Sequence, residues 1–215
     1  MSQRVVITGG AGHLAQAISR DLRAAFCEVL APDKVQLDIA RQSSITAYFE
    51  NREVDLLICA AGKIHDAPLK NLTEKNWDDL WSVNFVGAQQ VANHVLPAME
   101  KNRCGHIIFI SSFSAIHPPI GQVPYACAKA ALIGLTHALA KQYGKSQIRI
   151  NAIMPGFLDT PMTRAISAKR RAAILTNHAL GNFNRVENVA SFIRNLHFEM
   201  PFTSGQVFNL DSRII

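Results

Sequence analysis

Four apolar runs recur along the chain: "RVVITG" (4–9), "VDLLICAAG" (54–62), "HIIFISS" (106–112) and "IRINAIMPG" (148–156). Longer amphipathic segments separate them. A strand that is apolar at nearly every position is covered on both faces, whereas a half-exposed strand alternates. Such strands, alternating with helices, belong to a parallel sheet, because a parallel crossover takes a dozen or more residues. The pattern therefore predicts an α/β chain, a doubly wound parallel sheet with helices on both faces. Sheets of this kind bind ligands beyond the carboxyl ends of their strands.

The remaining elements fill in around these runs. Helices are expected over 12–26, 43–50, 73–101, 124–144, 160–177 and 184–196, and short strands over 28–32 and 205–210. Thr73 is placed to cap the long helix and Gly105 lies just past its end. Pro124 and Gly144 bracket the next helix with the usual start-and-stop asymmetry. Asn184 and Glu187 have capping-box spacing. A further strand at 35–38 is a candidate, yet only a few residues separate it from 28–32. That is too short for a parallel crossover, so a trimmed sheet edge is expected around residues 32–37. At 215 residues, one domain over 1–215 is the expectation.

Composition excludes several classes. No run approaches the ~18 apolar residues of a membrane helix, and the first strand begins at Gln3 or Arg4, leaving no room for a signal peptide. Cys27, Cys59, Cys104 and Cys127 are far apart without C-x-x-C pairing, and three fall in or beside core elements; they read as reduced, structural and cytoplasmic. The eight histidines form no metal-binding spacing, so no metal is expected. The net charge of +6 comes from dispersed lysines and arginines, with one dense run, "AKRR" at 168–171. It reads as a solvated helix face or as a basic patch for an acidic protein partner. No nucleic-acid motif is visible and no membrane or nucleic-acid partner is expected.

Residues 8–15, "TGGAGHLA", follow the first strand and open the first helix. Gly10, Gly12 and Ala15 fit G-x-G-x-x-G/A, and a helix N-terminus offers free N–H groups and a positive dipole end to a pyrophosphate. By itself such a loop is as readily a plain turn. In "YACAK" (125–129), Tyr125 and Lys129 stand four apart on one helix face. A phenol titrates near ~10, and a close ammonium lowers that value, making Tyr125 a usable proton donor to a carbonyl oxygen. A solvated Tyr–Lys pair is the plain alternative.

Three further features accompany that pair: Ser112 ending a buried strand thirteen residues before Tyr125, Asn84 in "SVNFVG", and "PGFLDT" at 155–160. With them the chain resembles, over essentially its whole length, the short-chain dehydrogenase/reductase family. The resemblance implies a Rossmann-like fold and hydride transfer between NAD(P)(H) and a carbonyl or secondary alcohol. Ser112 would hydrogen-bond the substrate carbonyl, Tyr125 would carry the proton, Lys129 would hold the nicotinamide ribose and tune the tyrosine, and Asn84 would fix a relay water. Thr8, Gly9, Gly12, His13, Leu14, Asp33, Asp38, Ala60, Ala61, Gly62, Pro155, Gly156 and Thr160 would join Tyr125 and Lys129 in holding the cofactor. The glycines follow T-G-x-x-G-x-x-G/A, the pattern of the family's extended members, with His13 and Ala15 where its single-domain members carry glycine. "CAAG" (59–62) keeps only the last two residues of the usual N-N-A-G. Asp33 suits ribose hydroxyls and opposes a 2′-phosphate, Lys34 does the reverse, and Asp33 is equally an ordinary turn residue; NAD against NADP stays open. The tail "GQVFNLDSRII" resembles the family's G-Q-x-x-x-x-D-G-G with Ser212 and Arg213 in place of glycine, a departure expected to touch the tail and an oligomer contact but not the chemistry.

Within the family, 162–175 and 180–193 resemble the 3-oxoacyl-[acyl-carrier-protein] reductases. That likeness implies an acyl-thioester substrate and an acyl carrier protein partner received by Arg103 and Arg171. It also implies a homodimer or homotetramer formed through helices 73–101 and 124–143. A dehydrogenase of a small free substrate and a non-catalytic dinucleotide-binding regulator are the competing readings.

Overall fold

The computed structural model describes residues 2–164 and 166–213. Six strands, β1 (Arg4–Thr8), β2 (Glu28–Leu30), β3 (Leu56–Cys59), β4 (Gly105–Ile110), β5 (Ile148–Met154) and β6 (Val207–Asn209), form one sheet in the order β2-β1-β3-β4-β5-β6. Every pairing is parallel. Among the described residues, seven α-helices connect and flank the strands: α1 (His13–Ala24), α2 (Gln42–Phe49), α3 (Glu74–Trp81), α4 (Gly87–Asn102), α5 (Val123–Tyr143), α6 (Ala168–Thr176) and α7 (Val186–Phe198). The chain leaves β1 toward β2 on one side and returns to β3 on the other, so strand order reverses between β1 and β3. Crevices open at such reversals.

Two cores account for the continuous apolar strands. Ile7, Leu56, Ile58 and Ile108 face α1 and α7, where Ile18, Leu22, Val189 and Ile193 are buried. Val6, Leu57, Ile107 and Ile150 face α2, α4 and α5, against Ile45, Val91, Leu96 and Leu132. Successive residues of one strand thus serve opposite layers, the period-two consequence of the pleat.

The expected trimming at 32–37 is present, and the candidate strand at 35–38 is not formed. Residues 34–36 make a turn held by Asp33, whose Oδ1 accepts from the N–H groups of Val35 (2.9 Å) and Gln36 (3.0 Å). β2 is therefore the sheet edge. The expected helix over 73–101 is divided. Thr73 caps it, with a reciprocal box to Asn76, but residues Ser82–Val86 form a π-helical turn in which the Gly87 N–H reaches back five residues to the Ser82 carbonyl. Arg103, in the left-handed region at φ 49°, ends α4, and Gly105 already belongs to β4. The expected 160–177 helix begins only at Ala168, after a short 3-10 turn at Pro161–Thr163. Asn184 makes no capping box with Glu187; α7 starts at Val186, and the Asn184 amide instead donates to the carbonyls of Pro155 (2.9 Å) and Leu210 (3.0 Å). It clips the β5 exit to the β6 exit.

One helical stretch, Val123–Ser146, is long and apolar enough to cross a membrane by length and composition, contrary to the sequence expectation. It is a core helix by its contacts: Leu132, Thr136 and Leu139 are buried. Of the four cysteines, all free, Cys27 and Cys59 are buried while Cys104 and Cys127 are exposed.

Candidate active site

A cavity of about 390 Å³ runs along the carboxyl ends of β1, β3, β4 and β5. One end is the loop into α1, with Gly9, Gly12, His13 and Leu14 in its wall; the other holds Ser112, Tyr125 and Lys129. Ala60, Gly62, Pro155, Gly156 and Thr160 line it between.

The glycine loop is shaped by close approach. A Cβ on Gly10 would lie 1.9 Å from the Ala31 carbonyl oxygen, and the Gly10 N–H donates to Pro32 O at 2.8 Å. Gly9 sits at φ +74°, where a Cβ would meet Ala61 Cα at 2.7 Å. Gly12 is the N-cap of α1 and brings no side-chain acceptor to its first turn. The N–H groups there remain available to an anion, the arrangement a pyrophosphate needs. The unusual glycine pattern thus still leaves the first turn of α1 uncapped and facing the cavity.

Thr8 and Ala61 shape the site from behind. Thr8 is buried, and its Oγ1 accepts from the N–H groups of Ala60 and Ala61, both at 3.1 Å. It fixes the β3 exit beside the glycine loop. Asp33 and Asp38 stand outside the cavity wall. Asp33 spends one carboxylate oxygen on its own turn; Asp38 accepts from the Ala40 N–H (3.1 Å) and faces Arg41 Nε at 3.5 Å.

Ser112, directly after β4, is positioned by the strand end, and its Oγ accepts from the Ser114 N–H at 3.1 Å. Its neighbour Ser111 is buried and donates to the Lys129 carbonyl at 2.8 Å, pinning α5 to the strand that carries Ser112. Lys129 is 4% exposed and donates from Nζ to Ile110 O at 2.8 Å. Burial pushes its pKa down to about 8. Its Nζ lies 5.8 Å from the centre of the Tyr125 ring. The sequence reading has this ammonium lowering the phenol; in this structure burial raises the Tyr125 pKa, the Ser112 hydroxyl draws it back, and the Asp66 carboxylate raises it further. The phenol is held protonated at neutral pH, the state of a proton donor.

Asn84 occupies the π-helical turn, a backbone irregularity that recurs at functional sites. It is 1% exposed and nearly saturated by main chain. Oδ1 accepts from Lys63 N–H (3.1 Å), and Nδ2 donates to Lys63 O (2.8 Å) and Leu80 O (2.9 Å). Both amide hydrogens are committed, so only one Oδ1 lone pair is left for a relay water. Gly62 stands against that oxygen and against Lys129 Nζ, where a Cβ would lie 3.2 Å and 3.7 Å away. Asn84 is thus first a clip on the β3 exit.

The two expected docking arginines are not brought together. Arg103 precedes β4, at the amino end of the sheet, and donates to Lys145 O. Arg171 lies in α6, beyond the carboxyl end of β5, where it pairs with Asp159 (2.9 Å) and packs over Phe183 (4.9 Å). The length of a six-residue strand, roughly 20 Å, separates the two ends. Sequence reasoning missed Gln122, a 9% exposed side chain that receives the Ser114 hydroxyl and donates to both oxygens of Asp66. It also missed Arg213, which lines the cavity. The departure from the family's tail therefore reaches the site, contrary to expectation; its signal was the arginine standing in place of a glycine.

A doubly wound sheet with Ser112, Tyr125 and Lys129 gathered at one crevice, and Asn84 just behind its wall at Gly62, defines a class, the Rossmann-like oxidoreductases that act on carbonyls or alcohols. The family model described as short chain dehydrogenase matches residues 33–171, and the protein belongs to that family. It is an NAD(P)-dependent oxidoreductase. The 3-oxoacyl-[acyl-carrier-protein] reductase FabG of Thermotoga maritima is 38% identical over 75% of this chain and 66% of its own length. FabG of Aquifex aeolicus is 30% identical over 96% of this chain and 85% of its own. The corresponding reductase MabA of Mycobacterium avium is 32% identical over 98% and 89%. A crystal structure of a putative NAD(P) dependent gluconate 5-dehydrogenase from Beutenbergia cavernae, with bound NADP at low occupancy, superposes with a TM-score of 0.93. It is 25% identical and the match covers 98% of this chain and 95% of that one.

Proposed function

We propose that the protein reduces the carbonyl of a 3-oxoacyl thioester, with Ser112, Tyr125, Lys129 and Asn84 as its working residues. The observation that carries the reading is the convergence of Ser112, Tyr125 and Lys129 on one cavity that continues to the glycine loop before α1, with Asn84 just behind the lining Gly62. When bound, NAD(P)(H) supplies or accepts the hydride. The chain does the rest. Gly9, Gly12 and the first turn of α1 hold the pyrophosphate. Gly62, Pro155, Gly156 and Thr160 line the path toward the nicotinamide end. Ser112 Oγ donates to the substrate oxygen and orients it toward Tyr125. The Tyr125 hydroxyl gives its proton to that oxygen as negative charge develops on it. Lys129 supplies a fixed positive charge behind the phenol. Asn84 holds the β3 exit in place and presents its remaining lone pair toward Lys129.

The curated relatives support an acyl carrier protein as the partner that delivers the thioester. With Arg103 at the far end of the sheet, a carrier reaching this cavity meets α6 and its "AKRR" run instead of both arginines. The family resemblance supports a homodimer or homotetramer through the helices over 73–101 (α3 and α4) and α5, and the four free thiols support a cytoplasmic location. A second reading, a small free hydroxy or oxo substrate, is favoured by the structural neighbour, a putative gluconate 5-dehydrogenase. The test is titration with NADH and NADPH, followed by kcat/KM on a carrier-bound 3-oxoacyl thioester, the same acyl group on a short thiol, and small free ketones. Preference for the carrier-bound form, lost on charge reversal within 168–171, is the expected result. Equal rates on the short thioester would favour the small-substrate reading.

A further inference from the structure

Arg213 stands where the family tail carries glycine, and the fold turns it inward. β6 ends at Asn209, and the following residues pass beneath the β5 exit, with Asp211 packed against Gly156. The Asp211 side chain is 0% exposed. It accepts from Arg213 Nε at 2.7 Å, pairs with Nη2, and accepts from the Arg213 N–H at 3.2 Å. Its other flank faces His178 Nε2 at 2.8 Å. The Arg213 guanidinium lies over the Phe113 ring, 3.7 Å from its centre, and Phe113 directly follows Ser112. Adjacent Cα atoms are only 3.8 Å apart, so the guanidinium stands on the order of 10 Å from the serine.

This is a buttressed arginine. Asp211 is not part of the cavity wall but Arg213 is, so the carboxylate fixes the guanidinium from behind. Nε and Nη2 serve Asp211, while among the described residues Nη1 donates to none, leaving its N–H groups for a ligand. Arg170 also lines the cavity, 3.7 Å from Asp66, and Lys129 is committed to Ile110. Asp66 offsets Arg170 and Asp211 offsets Arg213, so what Arg213 offers a ligand is its free, pre-oriented N–H donors. A fixed guanidinium in a shielded wall is suited to bidentate recognition of an oxyanion.

We infer that Arg213 is a specificity-determining residue that receives a carboxylate or phosphate-type group on the substrate, close to the reacting carbonyl. The enzyme then prefers oxo compounds bearing a free anionic group over neutral ones of the same size. The inference rests on carbonyl chemistry at Ser112 and Tyr125; a thioester is neutral beside its ketone, so the inference sides with the small free substrate of the second reading.

The test uses full-length protein saturated with its preferred oxidised cofactor, so that oxo ligands bind without turnover. Calorimetry compares acetoacetate, its methyl ester and 2-oxopropylphosphonate, and kcat/KM for the same three is measured with the reduced cofactor. The wild type is expected to bind at least one anion about tenfold or more tightly than the ester. R213Q is expected to lose that advantage, roughly ten- to hundredfold, with the ester unchanged. R213K keeps a cation beside Asp211 and, should R213Q fold poorly, decides alone; an intermediate loss is expected because lysine lacks the fork. The better of carboxylate and phosphonate names the natural group. Equal wild-type affinity for anions and ester, or a ratio unmoved in both variants, or a ratio that falls in R170Q instead, would overturn the proposal. Absence of turnover with all three, with the binding preference intact, would sink the carbonyl-reduction reading and leave the anion site standing.

Discussion

Replacing Asn84 with alanine separates a structural clip from a relay residue. The amide makes three main-chain hydrogen bonds, two to Lys63 and one to Leu80. Lys63 is exposed and its freed groups can turn to water, so each of its bonds contributes only about 0.5–1.5 kcal/mol net. Leu80 is 0% exposed, and its carbonyl would be left without the amide donor at about 1–3 kcal/mol. Together the loss is about 2–6 kcal/mol. In a chain of this size each kcal/mol shifts Tm by about 2–4 °C. N84A should therefore melt at least about 4 °C below the wild type by calorimetry, in the presence and absence of cofactor. Because the β3 exit that carries Gly62 is released too, KM for the cofactor should rise along with the fall in kcat. A variant with wild-type Tm and cofactor KM, impaired in kcat alone, would refute the clip and return Asn84 to a pure relay role.

Tyr125→Phe removes the proton donor from a half-buried ring whose hydroxyl holds no main-chain group. kcat should fall about 10²–10⁴-fold while cofactor affinity by fluorescence titration stays within about twofold; retained turnover would count against Tyr125 as the acid. Gly10→Ala would drive a Cβ to 1.9 Å from the Ala31 carbonyl oxygen, so backbone must move. A loss of about 1–3 kcal/mol in urea unfolding and a weakened dinucleotide complex are expected, and undiminished binding would contradict the cradle. At the amino end of the sheet, His197 is pushed down to about 4 by burial and Arg149, and the buried His106 beside it is also lowered. Above about pH 6.5 both imidazoles are neutral folded or unfolded. Between about 6.5 and 4 the unfolded chain binds protons at His197 and His106 that the folded protein refuses, so stability should drop across that window, with about 3 kcal/mol of the drop from His197. H197Q should make the slope shallower and leave the part that His106 contributes, and an unchanged slope would refute the assignment.

Much of this protein was written in local chemistry. Continuous apolar runs require a sheet covered on both sides, and the strand–glycine–helix succession places a tight turn at the carboxyl end of β1. Tyr125 and Lys129 share a face because a helix repeats every 3.6 residues. The short span at 32–37 excludes a crossover on length alone. These conclusions need only neighbours in sequence, whose distances are fixed by backbone geometry.

Other features depend on residues far apart in the chain, and only the fold decides them. Asn84 looks like a helix residue until the π-helical turn and Lys63 meet it. Tyr125 and Lys129 keep their spacing, yet Ile110 captures the ammonium and burial, not the lysine, dominates the phenol. Arg103 and Arg171 look equivalent as surface arginines but stand at opposite ends of the strands. Arg213 lies two residues past Asp211, and it reaches the cavity because Asp211 packs beneath Gly156 and Phe113 offers a ring to stack on. A sequence fixes which groups are available and how they repeat; desolvation, pairing and direction are set by what packs around them, and that is decided across distances the sequence does not display.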